Sequence, residues 1–404
     1  MYLIGAALAM TADSIEHVIS YWMIYEKFQS PSLAGFAVIA HWVPFIFFSI
    51  WSGALADRYD PRRIIQFGMV LFMLVSFGWG VLFATDALEK WHAVVLLIVH
   101  GFAGVFWAPA GQVLIHDIVG ERQLQSAIRL LATSRVLGLL LGPAIGGGML
   151  VVLGPTVGIF INILIYLPLT LWLVRNPNRV HTDRARGAPI KSFADMFDTI
   201  RTVSHVPVVF AMTLLAGFAA AFVGNGFEPQ MPQFASDLLG IGADALHSDE
   251  FARLRYSMLL GGTAAGALIA GIVLEARNLM PAHPRTAFIL ALMWCGAILG
   301  FAVSPSYWLS FALLLCAGFL DLSFNAMTRT LAQIHAPAEI RGRAIGLFNV
   351  GALGCRTFSG VTIGFGGGLI GIHWSLGLSA VALFLAIFML FAWSRRTGGA
   401  TVRG

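Results

Sequence analysis

The sequence predicts an all-α membrane protein with twelve transmembrane helices in two pseudo-symmetric six-helix bundles. Three observations predict it: the composition, the number of long apolar runs, and a repeat that relates the two halves of the chain. Of 404 residues, 58% are hydrophobic and only 11% are charged, and the mean hydropathy is +0.81. Soluble domains carry about 25% charged residues. The composition therefore indicates a protein of the lipid bilayer.

Apolar runs long enough to cross a bilayer, about 20 residues each, occur six times before a polar linker and six times after it. The first six, spans 1 to 6, are 2–25, 33–55, 64–84, 91–115, 124–153 and 156–174. Spans 7 to 12 are 206–227, 256–274, 286–303, 307–331, 344–372 and 374–393. The predicted domains are an N-terminal bundle at 1–175, a cytoplasmic linker at 176–205 and a C-terminal bundle at 206–404.

An internal repeat supports the two bundles. Gly101-Phe102 in span 4 recurs as Gly318-Phe319 in span 10, a displacement of 217 residues. Ala127-Ile128 in span 5 recurs as Ala344-Ile345 in span 11 at the same displacement. A common displacement in two pairs of spans favours duplication of a six-helix unit.

The positions of Lys and Arg predict the orientation, because cytoplasmic segments carry the excess of these residues. With a cytoplasmic N-terminus, 17 of the 25 Lys and Arg residues fall on the cytoplasmic side, 4 on the external side and 4 inside spans. This bias predicts a multi-pass protein of the bacterial inner membrane with both termini in the cytoplasm. It also accounts for the basic pI of about 9.4 without a nucleic-acid partner.

Motifs for chemistry at a cofactor or metal are missing from the sequence. Cys295, Cys316 and Cys355 lie in apolar runs and lack the spacing of a disulfide framework or a zinc site. We find no P-loop, nucleophile elbow or other catalytic motif. No catalytic residue, cofactor or metal is therefore predicted, and a membrane enzyme or a receptor is the less favoured alternative to a transporter.

The loop after span 2 reads Gly53-Ala-Leu-Ala-Asp57-Arg58-Tyr-Asp60-Pro-Arg62-Arg63. It resembles the loop signature of the major facilitator superfamily, Gly-x-Leu-Ala-Asp-Arg-x-Gly-Arg-Arg, although Asp60 and Pro61 replace the expected Gly and Arg. The resemblance implies that Asp57 stabilises the outward-facing state by docking on the start of span 11, near Arg343. The gate residues so predicted are Gly53, Asp57, Arg58 and Arg62.

Span 5 contains Gly138-Leu-Leu-Leu-Gly142-Pro143-Ala-Ile-Gly146-Gly147. It matches Gly-x-x-x-Gly-Pro-x-x-Gly-Gly, the signature of the drug–proton antiporter branch of this superfamily. Glycines four residues apart line one helix face and let a neighbouring backbone approach, while Pro143 bends the helix. The whole chain is similar to bacterial siderophore exporters of the enterobactin-exporter type, and His100 stands where many relatives carry Arg in span 4.

Charged residues inside the spans are confined to spans 1, 5, 10 and 11. They are Asp13, Glu16, Arg129, Arg135, Asp321, Arg329 and Arg356. By resemblance, these spans border a central cavity between the two bundles, whereas spans 3, 6, 9 and 12 form the periphery. A charge at mid-membrane costs about 2.5–3.5 kcal/mol, so such residues face protein or water and mark a pathway.

Two groups of site residues follow. Asp13, Glu16 and His17 share one face of span 1, and a buried carboxyl can bind and release protons near neutral pH. The predicted proton-coupling residues are Asp13, Glu16, His17, His100 and Asp321. The alternative for span 1 is a structural ion pair, such as Glu16 with Arg135. The predicted substrate-cavity residues are Trp22, Trp107, Arg135, Asn225, Asn325, Arg329 and Arg356.

These residues and the signatures predict a proton-coupled exporter, an antiporter, that works by alternating access. The four deep Arg residues against three acids favour a weakly anionic, amphiphilic substrate such as a siderophore or a drug. The alternative is a proton symporter or uniporter that imports a small metabolite. The expected partners are the substrate, protons and the bilayer, and the expected oligomeric state is a monomer.

Overall fold

The structure, a computed structural model, describes residues 1–120, 123–176, 200–240, 250–277, 282–337 and 341–398. Within these ranges it leaves undescribed the side chains of residues 49, 50, 53, 54, 57, 124–126, 129, 250, 274–277, 341–343 and 395–398. The side chains of Gly53, Asp57, Arg129 and Arg343 and most of the predicted linker therefore lie outside the described residues.

Six helices correspond to predicted spans 1 to 6. They are α1 (Tyr2–Phe28), α2 (Pro31–Arg58), α3 (Pro61–Ala84), α4 (Lys90–Val119), α5 (Leu124–Val152) and α6 (Gly154–Arg175). Local chemistry explains their ends. Pro31 and Pro61 occupy first helical positions, where the missing N–H costs nothing. Gly120 follows α4 with a φ of +67°, which favours glycine.

The described residues of the second half of the chain are also mostly helical. Its elements are α7 (Pro207–Phe222), a 3₁₀ turn (Glu228–Gln230), α8 (Met231–Leu239), α9 (Glu250–Arg277), α10 (Pro284–Val303), α11 (Tyr307–His335), α12 (Arg341–Asn349), a π-helical turn (Val350–Gly354), α13 (Arg356–Ser359), a second π-helical turn (Gly360–Phe365), α14 (Gly366–Ile370) and α15 (Ile372–Gly398). Span 11, predicted as continuous, is thus built from short α-helical and π-helical segments.

Nine of the described helices are long and apolar enough to cross a membrane: α2 to α6, α9, α10, α11 and α15. Three predicted spans account for the difference from twelve. Asp13, Glu16 and His17 lower the hydropathy of α1, α7 has only 16 residues, and span 11 is divided by its π-helical turns. π-Helical turns inside helices occur frequently at functional sites.

The chain divides into two compact units. The first contains the described residues within Met1–Leu33, Ala40–Ile190 and Gly242–Met258, and the second contains those within Ala34–Ile39, Lys191–Ile241 and Leu259–Gly404. In the first unit, α1 packs along α5 and α6, and α3 packs along α4 and α6. In the second, α10 packs on α11 and α15, and α7 packs on the same two helices. The predicted bundle boundaries at 175 and 206 stay a prediction.

The segment after α7, which lies between predicted spans 7 and 8, contains helical structure. The chain turns at Gly224, whose φ is +45°, and then forms the 3₁₀ turn and α8, burying Pro229, Gln230 and Met231. Prolines in the first turns of both short helices restart helical structure there. Residues 250–255, which also lie between these two predicted spans, form the beginning of α9.

Asp60 caps the start of α3 at the point where the loop departs from the superfamily signature. Its Oδ1 accepts hydrogen bonds of 3.0 Å from the backbone N–H and from Nε of Arg62, and its Oδ2 lies 2.5 Å from Nη2 of Arg62. Burial acts to raise the pKa of Asp60, but these hydrogen bonds and the charges of Arg62 and Arg63 outweigh burial and hold the pKa below 3.8. Asp60 and Pro61 together therefore form a helix start.

Candidate functional site

The first unit contains a buried polar cluster, here named the imidazole–carboxylate cluster, formed by Asp13, Glu16 and His17 of α1, His41 of α2 and His100 of α4. Nδ1 of His100 lies 2.7 Å from Oε1 of Glu16, and Nε2 of the same ring lies 3.1 Å from Oδ1 of Asp13. Nδ1 of His17 is 3.9 Å from Oδ2 of Asp13. His100 therefore lies between the two acids of α1.

The protonation of His100 follows from its neighbours. An ionised Glu16 can only accept, so Nδ1 of His100 carries the proton of their hydrogen bond. Nε2 and Oδ1 of Asp13 are both buried and form no hydrogen bond, despite their 3.1 Å separation. An unprotonated Nε2 would lie 3.1 Å from a carboxylate oxygen and be repelled by its charge. The site between these two atoms therefore favours a positive charge.

Two polar residues that the sequence did not single out support Glu16. Oγ of Ser76 on α3 donates to Oε2 of Glu16 at 2.5 Å, and Nδ2 of Asn162 on α6 donates to Oγ of Ser76 at 3.3 Å. All three residues are buried. Glu16 thus bonds His100 and Ser76 rather than Arg135, its partner in the alternative ion-pair interpretation. Polar residues in otherwise apolar spans are the signal that could have identified Ser76 and Asn162.

Arg135 of α5 acts on the other acid. Its guanidinium lies 5.3 Å from the centroid of the Trp107 ring and within electrostatic reach of Asp13 and Tyr2. Trp107 is buried beneath it, with 5% of its surface exposed. The structure thus brings two predicted cavity residues, Arg135 and Trp107, next to the predicted coupling residue Asp13.

Trp22, a third predicted cavity residue, lies elsewhere in the first unit. Only 1% of its surface is exposed, and its ring centroid is 5.4 Å from that of Tyr256 at the start of α9. The hydroxyl of Tyr256 donates to the carbonyl of Val18 at 2.8 Å. In this structure Trp22 therefore packs against protein, and its contact with substrate stays a prediction.

The glycines of span 5 form the interface of α5 with α1. A Cβ added to Gly138 would lie 2.6 Å from the carbonyl oxygen of Ala7, and one added to Gly142 would lie 2.1 Å from Cβ of Ser14. A Cβ on Gly146 would lie 3.1 Å from Cα of Ile15. The close approach expected from glycines four residues apart is present.

The remaining residues of this signature take other positions. Pro143 lies within α5. A Cβ on Gly147 would lie 2.5 Å from Cβ of Ser257 in α9. Gly148, which follows the signature, would have nothing within 4 Å of an added Cβ. The signature therefore belongs to a packed helix face, and its part in antiport stays a prediction.

A second polar cluster lies in the second unit, around Asp321 of α11. Nδ2 of Asn325 donates to Oδ1 of Asp321 at 2.9 Å. The positive charge of Arg356, in the short helix α13, acts on Asp321. Arg329 instead lies 5.9 Å from the centroid of Phe348. The row of Asp321, Asn325 and Arg329 is therefore divided, with Asp321 facing Arg356.

Glu228 joins this second cluster, and the sequence did not single it out because it lies between predicted spans 7 and 8. The charges of Arg356 and Asp321 both act on Glu228, and Asn225 donates a side-chain hydrogen bond to it. Arg356 lies between the two π-helical turns of span 11. The second unit thus brings two acids, two amides and an arginine together.

The gate residues are partly described. Arg58 ends α2 and is exposed, whereas Arg62 is bound to Asp60 and donates from Nη1 to the carbonyl of Asn176 at 2.9 Å. The side chains of Gly53 and Asp57 lie outside the described residues. The gate, including the docking of Asp57 near Arg343, stays a prediction.

Comparison with known proteins gives the family and two groups of relatives. The family model described as Major Facilitator Superfamily matches residues 2–360. The chain is 22% identical over 206 residues to the staphyloferrin A transporter of Staphylococcus aureus (strain NCTC 8325 / PS 47), which covers 49% of this chain and 51% of that protein. It is 34% identical over 132 residues to the putative multidrug resistance protein MdtD of Cronobacter sakazakii (strain ATCC BAA-894), covering 31% of this chain and 26% of that protein. The chain thus spans about half the length of the first relative and about a quarter of the second.

Solved transporters share the fold over nearly the full chain. A bacterial homologue of the human lysosomal transporter Spinster, inward-facing and unoccupied, matches with a TM-score of 0.71 and 16% identity over 98% of this chain and 96% of that chain. A bacterial homologue of the iron transporter ferroportin, inward-facing, matches with a TM-score of 0.65 and 16% identity over 97% of both chains. At these identities the likeness shows the fold alone. Since the family model covers most of the sequence and the fold is that of known transporters, the chain belongs to the major facilitator superfamily and is a membrane transporter rather than an enzyme.

Proposed function

We propose that this transporter is a proton-coupled exporter of small, weakly anionic, amphiphilic organic molecules, of the kind represented by siderophores and drugs. It exchanges protons for substrate by alternating access. The observation that carries the proposal is the position of α1. One face of α1 holds Asp13 and Glu16, and an adjacent face receives the glycines of the antiporter signature on α5.

Proton coupling requires a group whose charge changes inside the membrane, and α1 provides it. Asp13, Glu16 and His100 form a continuous row of ionisable groups in which an added proton has a place between Nε2 and Oδ1. Arg135 supplies a fixed positive charge beside Asp13. In the proposal, a proton on this row reduces the attraction of Asp13 for Arg135, and the loss of that proton restores it.

Close packing couples a movement of α1, caused by its change of charge, to a movement of α5. Gly142 and Ser14 leave no space for an extra atom between the two helices, so a shift of α1 must be matched by α5. Arg135 and the glycine face lie on the same helix, α5. The antiporter signature and the coupling residues are therefore proposed to act as one mechanical element.

The proposed substrate class draws on charge and on the relatives. Arg135 in the first unit and Arg329 and Arg356 in the second are described cationic groups deep in spans. The relatives are named as transporters of staphyloferrin A and as putative multidrug resistance proteins. An organic anion with apolar surface suits both the arginines and the aromatic groups Trp107 and Phe348 beside them.

The proposal is tested in everted membrane vesicles whose interior is acidified. A panel of anionic chelators and amphiphilic drugs is added, and proton efflux is followed with a pH-sensitive dye. We expect a subset of compounds to enter the vesicles and to discharge the gradient, with no response from vesicles that lack the protein. Uptake that ignores the gradient would indicate a uniporter, and uptake accelerated by an acidic exterior would indicate a symporter. Either result would overturn the proposal.

A further inference from the structure

Three histidines from three different helices converge in the first unit. The ring centroids of His17 and His100 are 4.7 Å apart, those of His17 and His41 are 5.1 Å apart, and those of His41 and His100 are 5.4 Å apart. One ring nitrogen from each lies within 4.8 Å of the other two. Asp13 adds carboxylate oxygens 3.1 Å from His100 and 3.9 Å from His17.

We propose that the imidazole–carboxylate cluster binds a divalent transition metal ion, with His17, His41, His100 and Asp13 as ligands. Three imidazole nitrogens and one carboxylate oxygen suit Zn²⁺ and Co²⁺, whereas Mg²⁺ and Ca²⁺ prefer oxygen ligands alone. In a tetrahedral site with metal–nitrogen bonds of about 2.0–2.1 Å, the nitrogens lie about 3.4 Å apart. Binding therefore requires the nitrogen–nitrogen separations, which reach 4.8 Å, to shorten by up to about 1.4 Å.

The orientation of His100 supports this assignment. Metal-binding histidines usually donate their second ring N–H to a carboxylate or a carbonyl. Here Glu16 accepts from Nδ1 of His100 and is itself held by Ser76, which accepts from Asn162. This arrangement leaves Nε2 of His100 as the coordinating atom and turns it toward Asp13. Glu16 is therefore a positioning residue and not a ligand.

Two buried atoms without hydrogen bonds support the proposed metal site independently. Nε2 of His100 and Oδ1 of Asp13 lie 3.1 Å apart without a hydrogen bond of acceptable geometry, and their residues are 4% and 8% exposed. Buried polar atoms normally find a partner. A metal ion between them would coordinate both. His17, whose side chain is 23% exposed, provides an access route.

Metal binding has a consequence that goes beyond the proposed exchange of protons for substrate. An ion held by His17, His41 and His100 would join α1, α2 and α4. It would also neutralise Asp13 and exclude a proton from the cluster. Zn²⁺ is therefore expected to inhibit transport, as a regulatory ligand of the coupling residues.

The test uses the whole chain purified in detergent, after the purification tag and any metal acquired during purification have been removed. Co²⁺ is titrated and its visible absorption recorded, and bound Zn²⁺ is counted by elemental analysis after dialysis. We expect one ion per chain and the absorption of tetrahedral Co²⁺. Each of His17→Gln, His41→Gln and His100→Gln should weaken binding at least tenfold. Glu16→Gln should weaken it about 10- to 100-fold, as loss of a supporting carboxylate does.

The matched control is His116→Gln, which changes a histidine on α4 whose side chain is 47% exposed and lies outside the cluster. It should bind Zn²⁺ as the unchanged protein does. Three results would each overturn the proposal. They are the absence of a bound ion at a tenfold molar excess of Zn²⁺, octahedral Co²⁺ absorption, and unchanged binding by the variant that combines His17→Gln, His41→Gln and His100→Gln. If His100→Gln does not fold, the partly exposed His17 and His41 carry the test. Because binding is measured without transport, failure of the proposed antiport leaves this result interpretable.

Discussion

Nδ1 of His100 lies 2.7 Å from Oε1 of Glu16, and this contact joins α4 to α1 across 84 residues of sequence. Both side chains are buried among apolar helices, where an unpaired charge is costly. The pair therefore gives Glu16 a structural partner and leaves Asp13, on the other side of the same imidazole, as the acid nearer to Arg135. The two acids of α1 have different surroundings, and that difference can be measured.

Asp13→Asn and Glu16→Gln are expected to separate coupling from folding. Asp13→Asn should abolish export driven by a pH gradient while sparing downhill exchange of substrate, because it removes the charge that responds to a proton. Glu16→Gln should mainly lower the yield of folded protein, since it weakens the hold on buried His100. Gradient-driven and downhill flux in vesicles, with yield by size-exclusion chromatography, distinguish the two. Full proton-driven export by both variants would place coupling elsewhere, with His100 and Asp321 the next candidates.

The contact of α5 with α1 predicts a paired substitution. Gly142→Ala should destabilise the protein by about 1–3 kcal/mol, the usual cost of overpacking, because the new methyl group meets Cβ of Ser14. Ser14→Gly combined with Gly142→Ala should recover much of this loss by removing that Cβ. Gly148→Ala, which meets nothing within 4 Å, is the control. Thermal unfolding in detergent measures all three, and equal melting temperatures for Gly142→Ala and Gly148→Ala would contradict the packing.

The second cluster predicts a non-additive effect around Arg356. Arg356→Gln should cost about 1–3 kcal/mol of stability by leaving Asp321 and Glu228 without their cationic neighbour. Adding Asp321→Asn and Glu228→Gln should restore part of the loss. Melting temperatures of the single, double and triple variants test this, with Arg58→Gln, an exposed arginine at the end of α2, as the control. Strictly additive losses would show that the three residues are independent.

Asp60 predicts a pH-dependent contribution to stability. At neutral pH, Asp60→Ala should lower the free energy of unfolding by about 1 kcal/mol through loss of the helix cap. In Asp60→Gly the loss of the cap should cost only a few tenths of a kcal/mol, and both variants also lose the ion pair with Arg62. Because the folded state lowers the pKa of Asp60 below 3.8, its stabilisation is present above that value and is lost as the pH falls through the folded pKa. The difference in melting temperature between the protein and Asp60→Ala should therefore shrink below about pH 4. A difference that stays constant down to pH 3 would exclude the charged cap.

The gate signature predicts that Asp57→Asn slows transport without loss of folded protein, because it removes the carboxylate expected to close the cytoplasmic side. In a background where Cys295, Cys316 and Cys355 are replaced by Ser, labelling of a cysteine introduced at Gly346, near the start of span 11, should become faster in this variant. Asp60→Asn, in the same loop, provides the comparison. Unchanged transport and unchanged labelling would show that Asp57 is an ordinary charged residue of the loop without a part in the gate.

The number and placement of most helices could be read from the sequence, because a membrane-spanning helix satisfies its backbone within a single apolar segment. The seven intramembrane charges and the glycine spacing of span 5 could also be read from the sequence, because each is a property of a single segment. The structure departs from the sequence-based prediction where the conformation of a segment depends on its contacts with neighbouring helices. The segment from Glu228 to Leu239 reads as a polar loop with two prolines, yet it folds into two short helices and buries Pro229 and Met231.

Which polar groups meet was decided by the tertiary structure. His41, Ser76 and Asn162 belong to no motif and lie in mostly apolar spans. Their places beside His17 and Glu16 therefore depend on how α2, α3 and α6 are rotated about their axes. Rotation is set by packing over whole helix faces, including the close fit of Gly142 on Ser14. The sequence by itself determined that this is a helical membrane protein with charges in its interior. Only the packing of helices distant in the chain decided that two acids and three histidines form one site.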